Sequence, residues 1–435
     1  RGWAWSLISL SLASAVRVCS IVDYGAVGDG RTLNTAAITA AADACGSTGG
    51  GTVLVPVGVF LTGSLDLSHD NLTLHIESGA TLRGSTDERH YPLIAPLPSY
   101  GIGRDLPTSQ RFRPLVFVSN ASGFTLTGGG TIDGNGHLWW LKHFAGLLRW
   151  SRPRLVEFMF CSSVVVEDLT LENSPFWTVH PYASVGVTVQ RITVTAPWWS
   201  PNTDGVDPDS CRNVLIRDCV FRAGDDGVAI KSGLNQAGRS FGVPCEDVTI
   251  ANITVAPERD NGSTNGISIG SEMSGGVRNV TVDGLHVSRC AVGVYIKSME
   301  GRGGVVEDIT FKNVVTDQVV EPVRFAMQYS YLDDSDRRRL TSTGTATGAA
   351  AETASAAATG AWLRRPNNVS TPHFRNLAVR NLTARRALIA GAFVGLPDSQ
   401  IMGVTLEDVD IEAHKPFNCS YVSGTAVRTT PSACF

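Results

Sequence analysis

Residues 213–221 read "NVLIRDCVF": a polar residue, an apolar one, a variable one, an apolar one, a polar pair, and then mostly apolar residues. Eight segments share this order, and they begin at Ser163, Gly186, Asn213, Asp247, Asn279, Asp308, Asn376 and Gly403. The first six copies follow one another at intervals of 23 to 34 residues. Repeats of this length are typical of a solenoid, a propeller or an array.

The length of the repeat favours a parallel β-helix. Each unit has room for two or three short strands, whereas a propeller blade needs about 40 residues or more. Coils of a β-helix stack about 4.8 Å apart, and differences in spacing become loops. We therefore predict an all-β parallel β-helix over residues 21–435, a low-complexity loop at 341–360, and a capping helix within residues 29–45.

Composition excludes one class of function. The 435 residues carry a formal net charge of −4, and only 17% of them are charged. A nucleic-acid-binding protein usually has a strong basic surplus. We predict no nucleic-acid partner.

The first sixteen residues resemble the end of a secretory leader. Arg1 is basic, residues 3–12 are mostly apolar, and residues 13–15 read "ASA", a cleavage-like pattern. The stretch is too short to span a bilayer; a packed strand or helix is the alternative. We predict a truncated signal peptide at 1–16, secretion, and no membrane association after its removal.

Eight Asn-x-Ser/Thr sequons add weak support for secretion, because a chain of this length contains several by chance. They are Asn71, Asn120, Asn252, Asn261, Asn279, Asn368, Asn381 and Asn418. Secretion would also permit disulfides among the nine cysteines. Cys419 and Cys434 could close a loop, while Cys211 and Cys219 could pair or could simply be small buried residues.

A second repeated pattern places several aspartates at equivalent or adjacent positions. Four segments align on the glycines Gly205, Gly227, Gly266 and Gly293. One position earlier, the aligned column reads Asp204, Asp226, Asn265 and Val292. Asp225 adjoins Asp226, and clustered carboxylates repel each other, so the cluster predicts a functional site. A solvated turn or a calcium site is the alternative.

Acids along a groove suggest glycoside hydrolysis. One carboxyl protonates the leaving oxygen and another activates water, at a separation of roughly 6.5–9.5 Å in inverting enzymes. Neighbouring rungs about 4.8 Å apart, with splayed side chains, would reach this range.

Ordered motifs along the chain resemble the polygalacturonase family, glycoside hydrolase family 28, with its signatures NTD, GDD, GHG and RIK. The motifs that carry this resemblance are "SPNTDG", "GDDGVAIKSG" and "GVYIKS". Four further motifs resemble the plant proteins called probable polygalacturonases, namely "DYGAVGDGRTLNT", "GTIDGNGHLWW", "SPFWTVHP" and "IGSEMSGG". The resemblance implies a right-handed parallel β-helix. It also implies a secreted enzyme of the plant cell wall that hydrolyses α-1,4-galacturonosidic bonds of pectin with inversion.

The same resemblance implies roles for particular residues. It makes Asp225 the general acid, with Asp204 and Asp226 positioning and activating water. It makes Lys297 the lysine of the RIK signature, which binds the galacturonate carboxylate, and it places Asn202 of the NTD signature at the substrate.

Three positions depart from the family signatures. Asn265 stands where the GHG histidine is expected, Tyr295 replaces the RIK arginine, and Gly227 replaces the usual cysteine after GDD. The plant group with "SEMSGG" also lacks that histidine. Loss of the arginine removes a bidentate carboxylate partner, although Tyr295 could stack on a sugar.

Other candidates have equally plausible structural roles. His180 could lie in the groove or be a buried structural residue, and Arg302 could reach substrate or be a solvated turn residue. The tryptophans Trp139, Trp140, Trp198 and Trp199 could line sugar subsites or pack in the core.

Pectin hydrolysis by a monomer, without metal or cofactor and with pectic polysaccharide as the only partner, is therefore the predicted function. Alternatives are a β-helix lyase, a non-catalytic or degenerate pectin-binding protein, and a hydrolase of rhamnogalacturonan or xylogalacturonan.

Overall fold

The computed structural model describes residues 17–101, 110–259, 262–329 and 370–435. Strands dominate this part of the chain, and its α-helices are α1 (Thr35–Gly46), α2 (His137–Phe144) and α3 (Asn235–Phe241). The predicted leader at 1–16 and the predicted loop at 341–360 lie outside the described residues. Within them, no helix is long and apolar enough to cross a membrane.

Most strands are short, and those that carry the later repeats are the longest. In chain order, β1 to β31 are Val18–Ser20, Asp29–Leu33, Gly51–Val55, Gly58–Thr62, Leu65–Asp66, Leu72–Ile76, Ala80–Gly84, Leu93–Ile94, Arg111–Phe112, Val116–Ser119, Thr125–Thr127, Thr131–Asp133, Val156–Met159, Ser162–Glu167, Thr170–Glu172, Val179–Tyr182, Val185–Gln190, Thr193–Thr195, Arg212–Arg222, Val228–Ile230, Cys245–Val255, Asn265–Ile269, Val277–Ser288, Val292–Lys297, Val305–Asp317, Glu321–Ala326, His373–Ile389, Ala392–Val394, Ile401–Lys415, Asn418–Ser420 and Val422–Thr430.

The repeated segments stack in the predicted register. The second residue of each repeat pairs with its equivalent on the next coil in parallel strands, and all eight side chains are buried. The stack runs Val164, Val187, Val214, Val248, Val280, Ile309, Leu377, Val404. This interior column confirms the predicted parallel β-helix, because stacked coils bring residues that are one coil apart in sequence into one row.

Two surfaces wrap this interior. Nineteen of the described strands belong to one large sheet. The second surface, which we call the site face, is formed by two parallel sheets, β5-β10-β13-β16 and β20-β22-β24-β26-β28-β30. Bridges from Val206 to Val179 and Val228 join them into one continuous row.

Helix α1 covers the first coils, as predicted. It buries Ile38, Ala41, Ala42 and Cys45, and Cys45 forms a disulfide with Cys19 that was not predicted. The helix is shorter than residues 29–45, because Asp29 accepts hydrogen bonds from the backbone N–H groups of Arg31 and Thr32 and this segment pairs as strand β2.

The structure also decides the two cysteine pairs that were considered from the sequence. Cys419 and Cys434 form the predicted C-terminal disulfide. Cys211 and Cys219 do not pair; both are buried, so their alternative as small core residues is confirmed.

Five sequon asparagines occupy left-handed backbone positions at the bends of coils: Asn71, Asn120, Asn252, Asn279 and Asn381. The residue that follows each is buried, as at Ile253 and Val280, and the Ser or Thr after it points away from the core. The side-chain amide of Asn252 donates to Asp218 at 2.7 Å on the preceding coil. Coil geometry therefore accounts for these Asn-x-Ser/Thr triplets, which removes their support for secretion.

Candidate active site

The acids lie on adjacent rungs of the site face. Asp204 precedes the bridge residue Val206, Asp226 precedes β20, and Asn265 begins β22. The backbone N–H of Gly205 donates to the Asp226 carbonyl at 2.9 Å, and that of Gly227 donates to the Asn265 carbonyl at 2.9 Å. The aligned column is thus the column predicted from the glycines.

The three carboxylates of Asp204, Asp225 and Asp226 converge. One oxygen of each lies within 4.8 Å of one oxygen of the others. The predicted gap of roughly 6.5–9.5 Å is wrong for the nearest oxygens, because the side chains converge instead of splaying apart.

Asp225 is the partly exposed member of this group. Its Oδ1 accepts the backbone N–H of Asp226 at 3.0 Å, and the Asn202 amide lies 3.5 Å from its Oδ2. Burial by the surrounding walls raises the pKa of Asp225 well above its usual value; Asp204 and Asp226 raise it further, while Lys297 and Lys231 offset part of the rise. This carboxyl therefore keeps its proton in conditions where an exposed aspartate is ionised.

Asp226 is buried between two donors. The Asn265 amide donates to its Oδ1 at 2.6 Å, and the Lys297 ammonium donates to its Oδ2 at 2.8 Å. Burial alone would lower the pKa of Lys297, but Asp226, Tyr329 and Asp225 raise it well above the usual value. These two hydrogen bonds, one of them charge-assisted, fix the orientation of the Asp226 carboxylate.

A second ammonium lies beneath the acids. Lys231 Nζ is 3.4 Å from Asp207, 3.3 Å from Glu272 and 3.9 Å from Asp204. Burial, followed by the charges of Asp204 and Asp226, raises the pKa of Asp207 well above its usual value. The sequence analysis gave Lys231 no role, because its contacts depend on side-chain direction, which the alignment of repeats does not supply.

The converging acids could also hold a cation in principle. Three carboxylate oxygens within 4.8 Å form a suitable donor set for a hard divalent ion. The Lys297 ammonium, however, already lies 2.8 Å from Asp226 and supplies a positive charge at that carboxylate.

Tyr295, in the position of the missing arginine, packs beneath two cations. The Lys297 ammonium lies 5.4 Å from the centre of the Tyr295 ring, and the Arg324 guanidinium lies 5.6 Å from it. Tyr295 on β24 pairs in register with Arg324 on β26. Sequence reasoning missed Arg324, although continuing the aligned column by one coil would have found it.

His180 lies under the groove instead of in it. Its side chain is fully buried, Nδ1 is 2.9 Å from Glu157 Oε2, and its ring packs against Trp177. The prediction of a substrate contact for His180 is wrong in this structure, because the imidazole is enclosed by protein groups; its structural alternative applies.

Arg302 ties two loops together. Its Nε donates to the Ser271 carbonyl at 3.0 Å and its Nη1 donates to Asn235 Oδ1 at 2.6 Å. It is buried, so the solvated-turn alternative is wrong, and these described bonds give it a role in holding the "SEMSGG" loop against α3.

The structure also shows where three of the candidate tryptophans lie. Trp139 and Trp140 in α2 are buried, so their packing role applies, and Trp199 contacts the edge of Trp140 at 5.4 Å between ring centres. Asn202 adopts a left-handed backbone conformation and its Oδ1 accepts a hydrogen bond from Arg152 at 2.7 Å. That bond orients its amide toward Asp225.

A sequence model of the glycosyl hydrolases family 28 matches residues 45–345, more than half of the chain. The chain belongs to glycoside hydrolase family 28. It is thus a glycoside hydrolase, as predicted, and the polygalacturonase family implies a pectic polysaccharide substrate.

Three polygalacturonases show similarity to this chain. A probable polygalacturonase from Vitis vinifera is 35% identical over 99% of this chain and 82% of its own length. An endo-polygalacturonase from Pectobacterium parmentieri is 31% identical over 64% of this chain and 67% of its own. The structure of a hyperthermoactive exopolygalacturonase from Thermotoga maritima aligns with a TM-score of 0.76 and 26% identity, covering 94% of this chain and 90% of that one.

Proposed function

We propose that this family 28 enzyme hydrolyses the α-1,4-galacturonosidic bonds of pectin, with Asp225 as the general acid. The observation that carries the proposal is the convergence of three carboxylates, of which Asp225 is half-buried at the surface of the site while Asp226 is buried and bonded to Asn265 and Lys297. Acid–base cleavage of a glycosidic bond requires neighbouring carboxyl groups in different environments, and burial raises the pKa of Asp225.

In the proposed mechanism, Asp225 donates its proton to the leaving glycosidic oxygen while Asp204 and Asp226 activate and position a water. A water with hydrogen bonds of about 2.8 Å to two oxygens, at a tetrahedral angle, holds them about 4.6 Å apart. The spacing of up to 4.8 Å among the acids suits one shared water.

Inversion of the anomeric carbon is the expected stereochemistry, since water attacks directly. The short oxygen spacing supplies a second candidate, because retaining enzymes place a nucleophilic carboxylate about 5–5.5 Å from the acid. The configuration of the fresh product distinguishes the two.

Recognition of the substrate involves groups near Asp226. Lys297 is the proposed partner of a galacturonate carboxylate, while Asn202, Asn265 and Tyr295 border the sugar. The Pectobacterium and Thermotoga relatives are named as endo and exo enzymes, so chain length of the first products is part of the test for this chain.

We also propose that the enzyme acts as a monomer outside the cell, in the plant wall. The leader-like sequence at 1–16 supports secretion, and so do the disulfides Cys19–Cys45 and Cys419–Cys434, since oxidising compartments favour such bonds.

Activity on defined pectic oligosaccharides tests the proposal. Purified protein should release reducing ends from unesterified oligogalacturonate, without the ultraviolet absorbance of an unsaturated lyase product. Proton NMR of the fresh product should show inversion.

Each other result has a distinct meaning. Retention would make one of the acids a nucleophile, and activity confined to rhamnogalacturonan or xylogalacturonan would change the substrate. Binding without cleavage of any pectic glycan would contradict the proposed hydrolysis.

A further inference from the structure

The departure at Tyr295 has a counterpart one coil later. Strands β24 and β26 pair in parallel, with Tyr295 opposite Arg324 and Lys297 opposite Ala326. Lys297 and Arg324 therefore lie diagonally across neighbouring strands, and both cations lie within 5.6 Å of the centre of the Tyr295 ring. A guanidinium is thus present at the Tyr295 ring that Lys297 also contacts, but it comes from the next strand.

Glu321 holds Arg324 in place without using all of its donors. Arg324 Nη1 donates to Glu321 Oε1 at 2.9 Å, and 36% of the Arg324 side chain remains exposed. Within the described residues, the buried Nε of Arg324 and the buried Oε2 of Glu321 have no hydrogen-bond partner. Incompletely satisfied polar groups of this kind need an explanation, and a bound ligand is one.

The carboxyl group of Glu321 also loses its negative charge more readily than that of an exposed glutamate as the pH falls. Burial raises the pKa of Glu321, although Arg324 lowers it in part. Glu321 thus takes up a proton at a higher pH than an exposed glutamate does.

We infer that Arg324 replaces the missing arginine and binds, together with Lys297, the uronate carboxylate of the sugar that lies across β24 and β26. The inference rests on the proposed function. Arg324 is thereby a specificity residue that distinguishes a free carboxylate from its methyl ester, because the ester cannot form a charge-assisted hydrogen bond.

Binding to an inactive enzyme tests this inference separately from turnover. The dissociation constant of a galacturonate trimer, and of its methyl ester, would be measured by calorimetry in an Asp225→Asn background. Arg324→Gln should weaken binding of the acid by about tenfold or more and change binding of the ester little. Lys297→Gln should act in the same direction.

Matched variants control for folding and general charge. Arg375→Gln removes a half-exposed guanidinium that pairs with Glu307 on the large sheet, and it should leave both dissociation constants unchanged. Arg324→Lys keeps the charge and the aliphatic stem, so it tests the planar fork even if Arg324→Gln unfolds; it should still weaken acid binding several-fold. Unfolding curves accompany every variant.

The experiment distinguishes failure of this inference from failure of the proposed function. If wild-type enzyme cleaves oligogalacturonate and Asp225→Asn does not, but neither Arg324 variant changes the preference for acid over ester, the inference is wrong and the proposed function stands. If wild-type enzyme cleaves no pectic glycan, the proposed function and this inference fail together.

Discussion

On the large sheet, acids and bases of neighbouring coils face each other, whereas on the described site face several acids lie together around two ammonium groups. Glu246 lies opposite Arg278, and Glu307 lies opposite Arg375, in register on adjacent strands. Both guanidiniums are at least half exposed to solvent. The stacked coil thus permits a neutral charge ladder wherever only stability is needed.

Among the described residues, several acids of the site face cluster together instead of alternating with bases from coil to coil. The carboxyls of Asp204, Asp207, Asp225, Asp226 and Glu272 share the two ammonium groups of Lys231 and Lys297. Burial and the neighbouring carboxylates raise the pKa of Asp225 and that of Asp207, so each takes up a proton more readily than an exposed aspartate does. In the proposed mechanism, burial of this acidic cluster makes Asp225 the proton donor.

The largest expected effect comes from removing that proton donor. Asp225→Asn should lower kcat on oligogalacturonate by about 10²–10⁴-fold, the usual contribution of a general acid. The matched substitution Asp283→Asn, on the exposed sheet where Asn313 and Lys312 bond the carboxylate, should leave kcat unchanged. Comparable turnover in Asp225→Asn and Asp283→Asn would remove Asp225 from the mechanism.

Much of this comparison was accessible from sequence. The inward residues Val214, Val248 and Val280 recur with a regular pattern because each coil needs an apolar residue at the same interior position, and the structure pairs them as predicted. Aligning the glycines on that register then placed Asp226 beside Asp204. Both steps use only the periodicity that a stacked coil imposes.

What the sequence did not predict is the direction and contacts of particular side chains, whereas the stacking of the coils was predicted. Alignment cannot show that His180 is enclosed beside Glu157, that the three acids converge, or that Lys231 reaches Asp207, because each depends on which way a side chain turns. The Cys19–Cys45 disulfide depends on how the cap sits on the first coils. Arg324 was missed because the search stopped at the signature triplet that contains Tyr295.

A smaller effect should appear in the pH dependence of stability. The raised pKa of Asp207 means that the folded chain holds a proton that the unfolded chain has already released. Stability is therefore lost as pH rises from the unfolded pKa of aspartate toward the folded one. Asp207→Asn should remove that loss, so its gain over wild type should grow from mild acid to neutral pH in denaturant titrations.

The same substitution at Asp283 should change the stability of the fold in the opposite direction. Hydrogen bonds from Asn313 and Lys312 lower the pKa of Asp283, so its contribution is present above the usual aspartate pKa and lost in acid. Asp283→Asn should be slightly less stable than wild type at neutral pH. Equal pH dependence of stability in Asp207→Asn and wild type would contradict the raised pKa of Asp207.

The smallest expected effect is at the exposed pair Glu307–Arg375, whose Nε–Oε2 distance is 2.7 Å. A double-mutant cycle with Glu307→Gln and Arg375→Gln should give a coupling free energy below about 1 kcal/mol, because solvent screens exposed charges. Added salt should reduce it further, since the screening length shortens to about 3 Å at molar ionic strength. A coupling several times larger would mean that sheet-surface pairs hold the coils together, and the contrast with the site face would then be one of strength as well as balance.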